Sequence, residues 1–278
     1  MAGILTVSDL KYTYSDGTAA LDGVSFDVAA GEKIAVMGSN GSGKSTLFLC
    51  LNGVLRAGGG TVSVGGQTLS YDKKSLSENR KNVGIVFQDP ETQLFCINVY
   101  EEVAFGPHNL GIKNPQLDEI VNESMSLVDV KEFSDKPPHF LSYGQKKRVT
   151  IASVLSMSPK IIIFDEPMAA LDPVHSAQTE SLMNVLNERG ITIVMSTHDV
   201  DMAYRWADRI AVLKSGKVQR FGTPDEVFEN EEDLKAWNLQ TPQVLRIYRK
   251  LVSSGILKSR KELPRDADSL AECIDSLL

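Results

Sequence analysis

Along the first 70 residues apolar and polar positions alternate with a period of two, the pattern of strands that bury one face. It predicts strand material over 4–36 (ILTVSDLKYTY, then ALDGVSFDV, then KIAVMG), with turns at Ser15-Asp16-Gly17 and Gly31-Glu32. After the Gly-rich run at 56–60, TVSVGGQTL alternates again, and Val83–Phe87 is a short apolar run closed by Gln88-Asp89-Pro90. From about 98 to 156 the period becomes helical, with breaks expected at Gly106-Pro107 and Pro137-Pro138. Ile161–Phe164 is apolar on both faces, as a central parallel strand requires. A helix near 174–189 then leads to Ile191–Met195, the next parallel strand. Residues 225–278 read as helices broken by Pro242 and Pro264, with apolar positions at Val244, Leu245, Ile247, Tyr248, Leu251 and Val252. They predict a small C-terminal appendage, packed or dimerising.

Composition narrows the class. The 278 residues are 42% hydrophobic and 23% charged, which fits a folded protein and excludes a disordered or coiled-coil chain. No stretch reaches the ~20 apolar residues of a membrane span, and MAGILTVSDLKYTY lacks the pattern of a secretory signal. A cytoplasmic location is expected unless a partner tethers the chain. The 29 Lys and Arg against 36 Asp and Glu leave a net charge of −7, which argues against a nucleic-acid partner. Cys50, Cys96 and Cys273 are too dispersed for a disulfide framework or a metal knuckle.

The chemistry sits in a few short motifs. Gly38-Ser39-Asn40-Gly41-Ser42-Gly43-Lys44-Ser45 fits G-x-x-x-x-G-K-[ST], between an apolar strand and the helix-compatible run that begins at Thr46. Such a loop turns successive backbone N–H groups toward one anion. Lys44 is placed for β- and γ-phosphates, and the Ser45 hydroxyl for Mg²⁺. The strand at 161–164 ends in Asp165-Glu166, two carboxylates at the ligand-binding edge of a parallel sheet. Asp165 suits Mg²⁺ or its waters, and Glu166 suits polarising an attacking water. Leu141-Ser142-Tyr143-Gly144-Gln145 opens a helix with Ser142 as a natural N-cap, which makes a second anion-binding turn.

At this point the chain resembles the ATP-binding cassette family, whose signature reads LSGGQ where this chain has LSYGQ. The likeness runs from residue 4 to about 225. It implies an α/β P-loop NTPase cassette: an antiparallel β subdomain, a RecA-like parallel-sheet core, and an inserted α-helical signature subdomain at about 89–158. The cassette would span 1–224, with 225–278 as the helical appendage. It further implies that Tyr14 stacks on adenine, that Gln88 senses Mg²⁺ and the attacking water, and that His198 contacts the γ-phosphate. Asp172 would lie in the loop crossing the dimer interface, and Ser142, Gly144 and Gln145 would face the nucleotide of an opposing cassette. His108, His139 and His175 are read as non-catalytic. Tyr143 stands where the family has glycine, and a positive φ there would be strained; the geometry is expected to hold.

A finer resemblance lies in Phe87-Gln-Asp-Pro-Glu-Thr-Gln-Leu-Phe95, in Glu102 to Gly111, in Pro137 to Ser142 and around Thr241–Arg246. These are similar to cassettes of energy-coupling-factor transporters for cobalt, nickel or vitamins. The likeness implies an ATP- and Mg²⁺-dependent ATPase, peripheral on the cytoplasmic face of the membrane. Its partners would be a second cassette, identical or not, an integral-membrane subunit and a substrate-binding membrane subunit. Leu94 and Phe95 are expected to be exposed at the docking face, with Val103 and Phe105 packing inside the helical subdomain and Glu91, Glu101 and Glu102 interrupting the patch. A cassette of another transporter type is the alternative. A nucleic-acid or ribosome-associated cassette fits poorly, because Lys44 and Asp165 lie too close for a long coiled coil and only one cassette is present. A catalytically dead module fits worse, since Lys44, Asp165, Glu166 and His198 are all present.

Overall fold

The computed structural model describes residues 3–275; the outermost residues of the two expected domain ranges, 1–2 and 276–278, lie outside the described residues. The alternating opening folds as β1 (Leu5–Thr13) and β2 (Ala19–Val28), paired antiparallel. β3 (Lys33–Met37) then leads into α1 (Lys44–Asn52). β4 (Gly59–Val64) pairs antiparallel with β1 and forms a hairpin with β5 (Gln67–Thr68). α2 (Lys73–Asn82) and β6 (Val83–Val86) precede the helices α3 (Val99–Asn109), α4 (Gln116–Leu127) and α5 (Tyr143–Leu155). Strand and helix then alternate through β7 (Ile161–Phe164), α6 (Pro173–Glu188), β8 (Thr192–Ser196) and α7 (Val200–Trp206). β9 (Arg209–Lys214) and β10 (Lys217–Gly222) form a hairpin, and α8 (Pro224–Val227), α9 (Glu231–Ala236), α10 (Gln243–Ser253) and α11 (Ala267–Asp275) complete the described chain.

Two sheets result, ordered β2-β1-β4-β5 and β10-β9-β3-β8-β7-β6. The larger is parallel from β9 to β6, with β10 antiparallel at one edge. Its central strands bury both faces, which is why they lack polar alternation. Ile34 and Val36 of β3, with Ile161 and Ile163 of β7, join Leu5, Phe26 and Leu47 between the sheets and α1. Ala35, Met37, Ile162 and Phe164 point into a second cluster under the helices. Each fully buried aliphatic side chain contributes roughly 1.5–3 kcal/mol.

One expectation from the sequence needs correction, and one helix went unread. Helix α3 runs through Gly106-Pro107 instead of stopping there. Proline removes the donor that would bond the Val103 carbonyl one turn earlier, but the Ser156 hydroxyl donates to that carbonyl at 2.8 Å. Helix α2 gave no apolar period, being polar almost all round; it is set by Asp72, whose carboxylate accepts from the N–H groups of Lys74 and Ser75.

The C-terminal helices share the second cluster. Leu245 and Tyr248 of α10 and Leu270 of α11 lie in it with Tyr204 and Phe228, while Ile247 stays half exposed. The Tyr248 hydroxyl accepts from the Arg260 N–H at 2.7 Å, and the Arg265 guanidinium donates to the Tyr204 carbonyl at 3.0 Å. Leu245 is 0% exposed. Leu245→Ala is therefore expected to lower the unfolding free energy by about 2–5 kcal/mol, read from the midpoint of a urea melt. An unchanged midpoint would show that α10 is not part of the cooperative core.

Candidate active site

In-register pairing of parallel strands brings the motifs together. Val36 of β3 pairs with Ser196 of β8, Met195 with Phe164 of β7, and Phe164 with Val86 of β6. Residues just past those positions therefore leave the same carboxyl edge side by side: Gly38, His198, Glu166 and Gln88. Ligands bind at this edge in open parallel sheets.

The loop from Gly38 to Gly43 bends over the start of α1. At Gly38 a Cβ would lie 2.2 Å from the Leu213 carbonyl oxygen and 2.7 Å from the Ser42 hydroxyl, so only glycine fits. Lys44 is buried, and its ammonium donates to the carbonyls of Gly38 at 2.7 Å and Ser39 at 3.3 Å. Ser39, Asn40 and Gly41 are exposed at the rim. The Ser42 hydroxyl is buried with no hydrogen-bond partner among the described residues. A buried ammonium held by two carbonyls, beside that hydroxyl and a helix N-terminus, fits a phosphate chain. The hydroxyl of half-exposed Tyr14 shares a hydrogen bond with Thr46 at 2.9 Å, so its ring stands next to this loop, edge-on to Tyr12.

Asp165 organises the carboxylate side. Ser45 donates to one of its oxygens at 2.9 Å and Ser196 to the other at 2.6 Å. The Ser196 hydroxyl in turn accepts the Glu166 N–H at 2.7 Å. Ser45 and Asp165 are hard oxygen donors of the kind that suits Mg²⁺, which takes few protein ligands and keeps its waters. The Glu166 side chain is 14% exposed and lies 3.0 Å from His198 Nδ1, whose ring is largely in solvent. Glu166 has φ +46°, a left-handed backbone that a non-glycine residue adopts at a cost of about 1–3 kcal/mol. Ser196 and this strain were not legible in the sequence: a serine ending a strand carries no signal of its own.

The signature turn is built as expected. Ser142 caps α5 by accepting the Gln145 N–H, and the Gln145 side-chain oxygen accepts the Ser142 N–H at 2.9 Å, so part of Gln145 is spent on the cap itself. Tyr143 takes ordinary helical backbone, so the feared strain is absent. Gly144 packs on the His175 ring, where a Cβ would sit 3.3 Å from Cδ2. His175 donates its backbone N–H to the Asp172 carboxylate at 2.9 Å, and its Nδ1 lies 2.7 Å from the other oxygen. These bonds hold the Asp172 carboxyl below the usual range. Among the described residues no hydrogen bond joins Ser142, Gly144 or Gln145 to the loop of this same chain at Gly38–Lys44.

Two further residues escaped the sequence reading. Lys147 is 1% exposed, and burial pushes its ammonium down to about 8 although Asp165, Asp89 and Glu166 favour the charged form. Gln93 lies on the loop after β6, the edge strand. Its side-chain oxygen accepts the Phe87 N–H at 3.1 Å and its amide donates to the Ile85 carbonyl at 3.1 Å, as a neighbouring strand would.

Beside that loop lies an apolar groove of about 800 Å³, walled by Phe87, Phe95, Phe105, Leu110, Val54 and Met157. Phe95 is 66% exposed and stacks edge-on against Phe105 at 4.8 Å. Leu94, expected beside it, packs on the core instead. Val103 is buried as expected, but Phe105 is 48% exposed and lines the groove together with Ser153 and Val154 of α5. Glu102 is also corrected: it is buried, and its carboxylate accepts the N–H groups of Phe95 and Cys96, holding the groove's rim. Among the described residues no helix is long and apolar enough to cross a membrane.

The profile of the family described as ABC transporter matches residues 21–169. The energy-coupling factor transporter ATP-binding protein EcfA of Methanococcus maripaludis is 47% identical over 244 residues, 88% of this chain and 88% of its own length. CbiO1 of Clostridium perfringens, described as part of the ABC transporter complex CbiONQ, superposes with a TM-score of 0.76 at 40% identity, covering 90% of this chain and 99% of that one. A cassette solved as a dimer in a post-hydrolysis state with ADP and Pi superposes at 0.72 with 29% identity, over 79% of this chain and 98% of that one. With a phosphate loop and paired carboxylates on one sheet edge and a capped signature turn at the start of α5, the chain belongs to the ABC transporter family and is one of its ATP-hydrolysing cassettes.

Proposed function

We propose that this chain is the energy-coupling ATPase of an importer of the energy-coupling-factor type, acting as a pair of cassettes beneath membrane subunits. The observation that carries the reading is the Ser45–Asp165 hydrogen bond at 2.9 Å, which joins the phosphate loop to the carboxylate strand end. Its assignment to this transporter type is supported by the likeness to EcfA and CbiO1. A metal ion (cobalt or nickel) or a vitamin is the cargo class that the resemblance of the motifs at 87–95 and 102–111 implies. Residues 1–224 form the cassette in this reading, with the helical segment 89–158 inserted and 225–278 appended.

Lys44 and the N–H groups of Gly38 to Thr46 bind the phosphates of ATP, and the Tyr14 ring takes the adenine. Mg²⁺ entering with ATP supplies charge neutralisation at the phosphates, and Ser45, Asp165 and Gln88 would hold it. Glu166 orients and deprotonates the attacking water, with His198 beside it at the γ-phosphate. Ser142, Gly144 and Gln145 close over the nucleotide of the opposing cassette, where Asp172 meets the interface. Most of the rate enhancement comes from position and charge. The groove at Phe95 and Phe105 receives a short helix of the membrane subunit, apolar side inward.

Glu166→Gln is expected to retain ATP binding while slowing hydrolysis roughly 10²–10⁴-fold and trapping an ATP-bound dimer on size exclusion; near-normal turnover would remove Glu166 from the role. Lys44→Ala is expected to abolish or greatly weaken Mg-ATP binding in calorimetry, since it deletes charge-assisted contacts worth several kcal/mol, and unchanged affinity would displace the phosphate site. Phe95→Asp should leave the thermal melt and ATP binding as in wild type but lose pull-down of the membrane component. If that variant assembles normally, the docking face lies elsewhere.

A further inference from the structure

The first turn of α5 reaches back to the segment that follows β6. The Tyr143 hydroxyl donates to the Gln88 carbonyl at 3.1 Å, and the Lys147 ammonium donates to the same oxygen at 3.0 Å. Lys146 adds an ion pair with Glu91. A carbonyl with two donors, one of them a buried cation, is firmly held. At its far end the same loop is fixed to β6 by Gln93. Gln88 thus sits on a short span between two anchors, one on the core sheet and one on the signature helix. Ser142 precedes Tyr143 directly and is locked to the helix by its capping box.

We propose that Tyr143 is a positioning residue that ties the Gln88 peptide to the signature turn, so that Gln88 and Ser142 shift together when nucleotide binds. This rests on the paired-cassette reading above, in which Gln88 serves this chain's ATP and Ser142 serves the partner's. A glycine at 143, as in LSGGQ, has no group that can reach the Gln88 carbonyl. The tyrosine hydroxyl therefore adds a second link, beside that of Lys147 on the same helix, between one nucleotide site and the other within a single chain.

The test is Tyr143→Phe in the full chain, which keeps the ring and leaves the carbonyl satisfied by Lys147. ATP turnover is measured against ATP concentration, nucleotide affinity by calorimetry with a non-hydrolysable ATP analogue, and stability by thermal melt. The tether predicts a kcat lowered about 3–10-fold and a Hill coefficient moved toward one, with analogue affinity and melting temperature unchanged. Turnover and Hill coefficient equal to wild type would overturn the tether alone. So would a kcat loss matched by a lower melting temperature, which marks a merely structural role. A wild-type chain that does not hydrolyse ATP would overturn the cassette reading and this proposal together.

Discussion

Asp165 has two carboxylate oxygens, and a hydroxyl from a different segment takes each: Ser45 from the phosphate loop and Ser196 from the end of β8. That arrangement is possible only because β3, β8 and β7 run parallel in one register, so that their ends come level. A slip of one residue would turn every side chain to the opposite face and carry Asp165 away from Ser45. Apolar packing enforces the register from both sides, with Ile161 and Ile163 in one cluster and Ile162 and Phe164 in the other. The polar site is thus a consequence of an apolar constraint.

On that frame the site tolerates local costs. Glu166 holds a left-handed backbone, and its N–H is bound by the same Ser196 that steadies Asp165. Lys147 keeps an ammonium almost out of water, compensated by the Gln88 carbonyl and by the field of nearby carboxylates. Strained backbone and a desolvated cation persist only where the surroundings over-determine them. Here those surroundings are a buried four-strand ladder and a doubly capped helix.

Much of this was legible in the residues. The phosphate loop, Asp165-Glu166 and the Ser142 cap announce themselves because backbone chemistry restricts which residue types work there. The apolar runs at 83–87, 160–164 and 191–195 revealed buried strands for the same reason. What stayed hidden depends on contacts between distant segments. Ser196, Gln93 and Lys147 act through partners 31, 8 and 59 positions away. Glu102 read as a surface charge because nothing local shows that two loop N–H groups will need it. The polar helix α2 has no period to detect, and the carbonyl that Pro107 leaves unpaired on α3 is met by a hydroxyl just past the end of α5.

That hydroxyl has a consequence for how the sequence can vary. Pro107 and Ser156 form a coupled pair: the ring deletes a donor on α3, and the serine, just past the end of α5, replaces it. Losing Ser156 alone would strand a buried carbonyl, whereas replacing Pro107 with alanine would free position 156 from needing a hydroxyl at all. The two positions are therefore expected to drift together, proline admitting only a small donor opposite and a helix-forming residue admitting almost any small side chain. Gly106 narrows the choice further, since its missing Cβ is where Met157 lies.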